Sequence, residues 1–254
     1  MNVLVLMAGD SEAFREAGYA YPKNLVEVDG LPLLQRVVES LQSLRDDTNA
    51  RFTFLVPTEE NRHYHTADVL RLLIPDAIVL EAPGKTAGAA CTALLAVGAI
   101  NDGEPLLIAN GDQIVRADLP AVVRDFRERH LDGGTVVFDA VHPRWSYVRC
   151  DPQTGLVVET AEKRPISRMA TAGLYYFARG TDFVRATMDM IKKDAHVGGN
   201  FYICPVYNEL ILRQARIGVF AIDRHDYFSL ANPRSVQDYE DHLKAAVATP
   251  RQAN

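Results

Sequence analysis

Lys23, Asp112, a glycine turn at Ala8-Gly9 and a Glu162-Lys163 pair are the groups of this 254-residue sequence whose settings could do chemistry. The turn follows Asn2-Val-Leu-Val-Leu-Met7, a short continuous apolar run of the kind that forms a buried strand. In an open α/β sheet, the loop leaving the carboxyl end of the first strand is where phosphates bind, on backbone N–H groups. Pro22 forces an extended approach to Lys23, which projects a cation. Asp112 stands beyond a second apolar run, Pro105-Leu-Leu-Ile-Ala109, after Asn110-Gly111. A carboxylate at such a strand tip could hold a divalent cation between protein and phosphate. Strands ending in polar turns occur throughout α/β proteins, so neither stretch is decisive alone.

The elements that must position these groups follow from periodicity. Apolar residues at helical spacing predict helices over 33–44, 60–73, 89–97 and 119–130, alternating with strands over 51–56, 77–80 and 105–109. The alternation implies an α/β protein with three α/β/α layers around a mostly parallel, Rossmann-like sheet. Beyond Gly133 the texture is mixed. Strands are expected over 135–141, 172–177 and 217–222, a hairpin over 147–150 and 156–160, and helices over 183–191, 205–212 and 236–246.

Composition narrows the function. A formal charge of −6 without basic blocks makes nucleic acid and anionic membrane poor partners. Cys91, Cys150 and Cys204 sit singly with no C-x-x-C, which reads as free thiols in a reducing compartment. The opening apolar run lacks a basic flank and is too short for a signal peptide or a membrane span, so a cytoplasmic protein is expected. His63 and His65 lie two apart on a predicted helix and face different directions, which argues against a shared metal.

Several of these segments together resemble the nucleotidyltransferases that activate sugar phosphates, a family with a GT-A-like fold. The residues that carry the resemblance are Met7-Ala-Gly9, Phe14-Arg-Glu-Ala-Gly-Tyr19, Pro22-Lys23, Val26-Glu-Val-Asp-Gly30 and Leu106-Leu-Ile-Ala-Asn-Gly-Asp-Gln113. It continues through Gly88-Ala-Ala-Cys-Thr-Ala-Leu-Leu95, His142-Pro-Arg-Trp-Ser-Tyr147, Glu159 to Lys163, Ala172-Gly-Leu-Tyr-Tyr-Phe177 and Phe201-Tyr-Ile-Cys-Pro-Val-Tyr-Asn-Glu-Leu210. The pattern is similar to a subgroup from bacterial capsule and surface-polysaccharide loci. Some of its members resemble cytidylyltransferases acting on phosphorylated molecules that are not sugars.

The resemblance implies one domain over 1–254, with a nucleotide-binding half at 1–132 and an acceptor-binding half at 133–254. It implies Lys23, Arg15 and Asp112 at the reacting centre, with Mg²⁺ on Asp112. Ala8, Gly9, Thr86, Gly88, Asn110 and Gly111 would hold the nucleoside triphosphate, CTP being favoured. Glu162, Lys163, Gly173, Asn200, Tyr202 and Tyr207 would hold a phosphorylated small-molecule acceptor. The oligomeric state stays open, a homo-oligomer included.

This sequence departs from the family's Gly-x-Gly-x-Arg loop, placing Ser11, Glu12 and Ala13 where glycine, a small residue and arginine are usual. An acid about 5 Å from a phosphate costs roughly 3 kcal/mol at an effective dielectric of ~20. Ser229 stands where the family has a second metal-binding aspartate. Three readings therefore stand: a Mg²⁺-dependent nucleotidyltransferase, an impaired relative acting as sensor or partner subunit, and a metal-dependent glycosyltransferase of related fold.

Overall fold

The computed structural model describes residues 1–248. In chain order its first half runs β1 (Asn2–Leu6), α1 (Glu12–Glu16), β2 (Glu27–Val28), β3 (Leu31–Pro32), α2 (Leu33–Thr48) and β4 (Arg51–Pro57). It continues through α3 (Thr58–Tyr64), α4 (Thr66–Leu73), β5 (Ile78–Ala82), α5 (Ala89–Leu94), α6 (Val97–Ile100), β6 (Leu106–Asn110), β7 (Gln113–Val115) and α7 (Leu119–Glu128). The second half holds β8 (Gly133–Asp139), β9 (Ser146–Cys150), β10 (Val157–Glu162), β11 (Met169–Phe177) and α8 (Gly180–Lys192). After these come α9 (Val206–Ile211), β12 (Ile217–Ala221), β13 (Tyr227–Ser229) and α10 (Pro233–Ala248).

Nine strands form one sheet in the order β10-β9-β11-β6-β1-β4-β5, with β8 paired to β11 and β12 to β8. The pairings leave only β10 and β11 running against the others. β1 is central because its side chains are apolar on both faces. Val3 and Val5 enter a layer with Leu34, Val37, Leu41, Val122 and Phe126 of α2 and α7. Leu4 enters the opposite layer with Ala90, Ala93, Phe183, Ala186 and Leu210 of α5, α8 and α9. Each fully buried Val, Leu or Phe contributes about 1.5–3 kcal/mol relative to exposure. The result is a three-layer α/β/α fold.

Two expected helices are interrupted. His65 adopts φ 54° and separates α3 from α4, so the stretch 60–73 is not one helix. Both histidines there are exposed. The stretch 89–97 likewise ends at Leu94, and α6 begins again at Val97. The three cysteines are free. Among the described residues no helix is long and apolar enough to cross a membrane.

Two connections matter for the site. β7 and β13 form a separate antiparallel ribbon that pairs Ser229 with Gln113, and the Leu230 N–H donates to the Asp112 carbonyl at 2.7 Å. Distant parts of the chain therefore meet at the end of β6.

Candidate active site

A cleft of about 540 Å³ opens where β1, β6 and β10 end, walled by the loops that leave them. Lys23 is the most constrained of its charged residues. Its N–H donates to the Ser11 hydroxyl at 3.0 Å. The next residue, Asn24, donates from its amide to the Met7 carbonyl at 2.9 Å and to both Glu60 oxygens at 2.9 and 3.1 Å. Glu60 also accepts from the Thr66 hydroxyl, and its burial raises its pKa. Pinned in this way, the Lys23 side chain lies over Gly9 and places Nζ 2.7 Å from Asp112 Oδ2. A Cβ at Gly9 would sit 2.6 Å from that Nζ, so a larger residue would displace the lysine.

The facing wall is the loop before α5. The Thr86 hydroxyl donates to the Gly88 carbonyl at 3.0 Å and lies 2.6 Å from the Thr92 hydroxyl. Gly88 has φ +109°, and a Cβ there would meet the Phe201 carbonyl oxygen at 2.5 Å. Only glycine fits that backbone. Lys85, on the same loop, reaches across the mouth to Asp10 at 2.7 Å, and this hydrogen bond lowers the Asp10 pKa. Asn110 and Gly173 complete the floor; Gly173 has φ +64°, and a Cβ there would lie 2.5 Å from Asn110 Nδ2.

The second half of the chain supplies the other end of the cleft. Glu162 closes β10, largely buried, and accepts a short hydrogen bond from the Ser146 hydroxyl. Burial raises its pKa, with Ser146 and Lys163 opposing. Lys163 donates to the Tyr202 hydroxyl at 2.9 Å, a contact that raises the lysine pKa. Tyr202 lines the cleft, whereas Lys163 stands at its rim rather than in its wall.

Because the folded state raises the Glu162 pKa, ionised Glu162 costs stability above that pKa, and the cost disappears as the native state takes up the proton. Glu162→Gln should therefore melt higher than the native protein at about pH 8, with the gap closing towards about pH 5. Glu60 is shifted the same way but is common to both proteins and cancels. A gap that widens on acidification would show that Glu162 is stabilised as the anion.

The cleft gathers Ala8, Gly9, Lys23, Thr86, Gly88, Asn110, Asp112, Glu162, Gly173 and Tyr202 from the sequence-based site. Four other residues expected in the site do not line the cleft. Tyr207 is fully buried, and its hydroxyl donates to the Gly134 and Tyr176 carbonyls at 2.6 and 2.9 Å, so it is a core residue. The Asn200 amide folds back to Gly198, and the residue does not line the cleft. Arg15 is exposed on α1, outside the wall. Gly111 acts in packing, since a Cβ there would lie 2.5 Å from Met7 Cγ, and its N–H donates to the Leu6 carbonyl.

The structure adds Asp10, Lys85, Arg144, Trp145, Ser146, Tyr175 and Tyr227 to the wall. Lys85 adjoins Thr86, and Arg144, Trp145 and Ser146 lie within the His142–Tyr147 segment that carries the resemblance, which was the available signal. Among the described residues no three His, Cys, Asp or Glu side chains group to hold a metal. Asp112 is the carboxylate at the β6 end, paired with Lys23, and a metal held there would need its other ligands from substrate phosphates and water.

The comparisons agree with this architecture. The model of the nucleotidyl transferase family matches residues 2–200. The nucleoside-diphosphate-sugar pyrophosphorylase of Vibrio cholerae RC9 is 28% identical, with a TM-score of 0.81 over 94% of this chain and 99% of that one. A Bacillus anthracis structure assigned as a glucose-1-phosphate thymidylyltransferase, in complex with sucrose, superposes with a TM-score of 0.72. It is 18% identical over 100% of this chain and 96% of that one, a likeness of fold alone. A search of proteins with curated functions gives no match. With the family's pattern spanning 2–200 and its fold reproduced throughout the described chain, the protein belongs to the nucleotidyl transferase family.

Proposed function

We propose that the protein transfers a nucleotidyl group from a nucleoside triphosphate, CTP being favoured, to a phosphorylated small molecule or sugar phosphate, for capsule or surface-polysaccharide assembly. An acceptor phosphate oxygen forms the new bond to the α-phosphorus as the bond to the bridging oxygen breaks, and pyrophosphate leaves. Such a reaction joins two polyanions, so it needs fixed cations and backbone donors more than a nucleophilic side chain. The observation that carries the reading is Lys23, buried beneath the Gly9 turn and paired with Asp112 at the floor of the cleft.

The preference for CTP rests on the resemblance to capsule-locus cytidylyltransferases. Mg²⁺ would be held by Asp112 and would neutralise charge on the triphosphate. The Ser146–Glu162 pair and Tyr202 offer polar groups to an acceptor at the other end. The impaired-relative reading rests on the altered loop, where Glu12 is exposed and stands outside the cleft wall but within electrostatic range of Lys85. The glycosyltransferase reading lacks the usual Asp-x-Asp, since Asn110-Gly111-Asp112 stands at the β6 end.

The test is a pyrophosphate-release screen of the four ribonucleotides and dTTP against sugar phosphates, phosphocholine, phosphoglutamine and phosphonates. Release with CTP and one acceptor class is expected. Tyr202→Phe should raise the acceptor KM and leave CTP affinity near native. Triphosphate binding without release from any pair would favour the sensor reading.

A further inference from the structure

A second cavity of about 620 Å³ shares a wall with the cleft, for Arg144, Trp145, Tyr227, Ser229 and Ala231 line both. Arg224, His225, Asn232, Ser235 and His242 lie among its other lining residues, and its only acid is Asp238. The arginines here are held by aromatic faces. The Arg144 guanidinium lies 4.4 Å over Trp145, and that of Arg224 lies 5.0 Å over Phe138 while donating to the Tyr227 carbonyl. Neither pairs with a carboxylate among the described residues, in a chain of net charge −6. Of the three cations in the cleft wall, Lys23 is tied to Asp112 and Lys85 to Asp10, which leaves Arg144 without an acid.

We propose that this second cavity receives a second anionic group, a carboxylate, carried by the acceptor whose phosphate reacts in the cleft. The proposal rests on the nucleotidyl-transfer reading above. A guanidinium held on an aromatic ring loses little entropy on binding, and the Arg224 N–H groups not given to the Tyr227 carbonyl can meet a planar carboxylate. The first turn of α10 does not supply the receptor, since Asn232 and Ser235 already bond one another there. Arg144, common to both cavities, stands where the acceptor would pass from Ser146 and Glu162 towards Arg224.

Trp145 is the only tryptophan, so its fluorescence reports binding at this wall directly. The probes are two pairs that differ by one carboxylate: glucuronic acid 1-phosphate against glucose 1-phosphate, and O-phosphoserine against phosphoethanolamine. In at least one pair the carboxylated member should bind the native protein about 10-fold more tightly. Arg224→Met should erase that preference with CTP affinity unchanged, and Arg224→Lys should retain part of it.

Equal affinities in both pairs, no binding by any of the four, or a preference that survives Arg224→Met would overturn the proposal. So would a carboxylated probe that binds without competing with glucose 1-phosphate, since it would then be a free effector. A carboxylate preference in binding, with no pyrophosphate released from any triphosphate, would leave this cavity assigned and sink the transfer reading instead.

Discussion

Lys23→Met is expected to lower pyrophosphate release by about 10²-fold or more while the fold is retained, as for a charge acting in a water-poor site. The Lys23 side chain is 6% exposed and that of Asp112 25%, so the pair is screened far less than one on the surface. In the absence of substrate each charge serves as the other's counter-ion. A triphosphate would offer Lys23 new oxygens, and Mg²⁺ would offer Asp112 a new cation. Both exchanges must happen together, because either alone leaves a charge of one sign uncompensated in the floor of the cleft.

Asp112→Asn should therefore also cost about 10²-fold, and should abolish the Mg²⁺-dependent part of triphosphate affinity measured by calorimetry. The double variant should lose little more than the worse single one, since the two groups act as a unit. Losses that multiply in the double variant would show that the residues act independently. A folded Asp112→Asn protein with unchanged Mg²⁺ dependence would remove the metal from this carboxylate.

How far the sequence foretold this arrangement depends on what kind of signal each part leaves. The first-half alternation was legible because β-branched runs and helical spacing are local. Breaks within helices, as at His65, follow from a single left-handed residue and leave no periodic trace. In the second half the hairpin of β9 and β10 was legible from its turn. The placement of β11 between β6 and β9 was not, because pairings across long sequence separations leave no local pattern.

The site divides the same way. Lys23, Asp112 and Gly9 were singled out because they follow strands and turns whose geometry is known, and the fold brings the three together in the cleft. Tyr207 was drawn towards the site because an aromatic ring with a polar tip looks alike in a core and in a pocket, and it lies in the core. Lys85, beside Thr86, and Arg144, within the His142–Tyr147 segment, were passed over as site residues because an exposed cation in a loop resembles any solubilising charge. Ser11 misled in the opposite direction: it reads as a lost glycine, whereas its hydroxyl braces Lys23.

That brace bears on whether the first loop has decayed or been rebuilt. Lys85→Ala is expected to weaken triphosphate binding about 10-fold, the effect of losing one charge-assisted contact. Asp10 donates no cation, but it accepts the Glu12 N–H at 2.8 Å, holds Lys85 across the mouth, and so brings a positive charge to the side where the family's loop arginine is missing. On triphosphate binding Lys85 would exchange Asp10 for phosphate oxygens. Restoring the family's loop should accordingly bring no gain. In the triple change Ser11→Gly, Glu12→Ser, Ala13→Arg, the first substitution removes the acceptor for the Lys23 N–H, a hydrogen bond worth about 1 kcal/mol. The second removes an acid that is exposed and outside the cleft wall, and the third adds a cation on a helix whose Arg15 is also outside the wall. Calorimetry with CTP on both variants separates the two histories of the loop. Tighter binding by the triple variant, with native affinity in Lys85→Ala, would mean that the loop decayed and that Lys85 is only a surface charge. Weaker binding in both would mean that the phosphate cation now comes from the opposite wall.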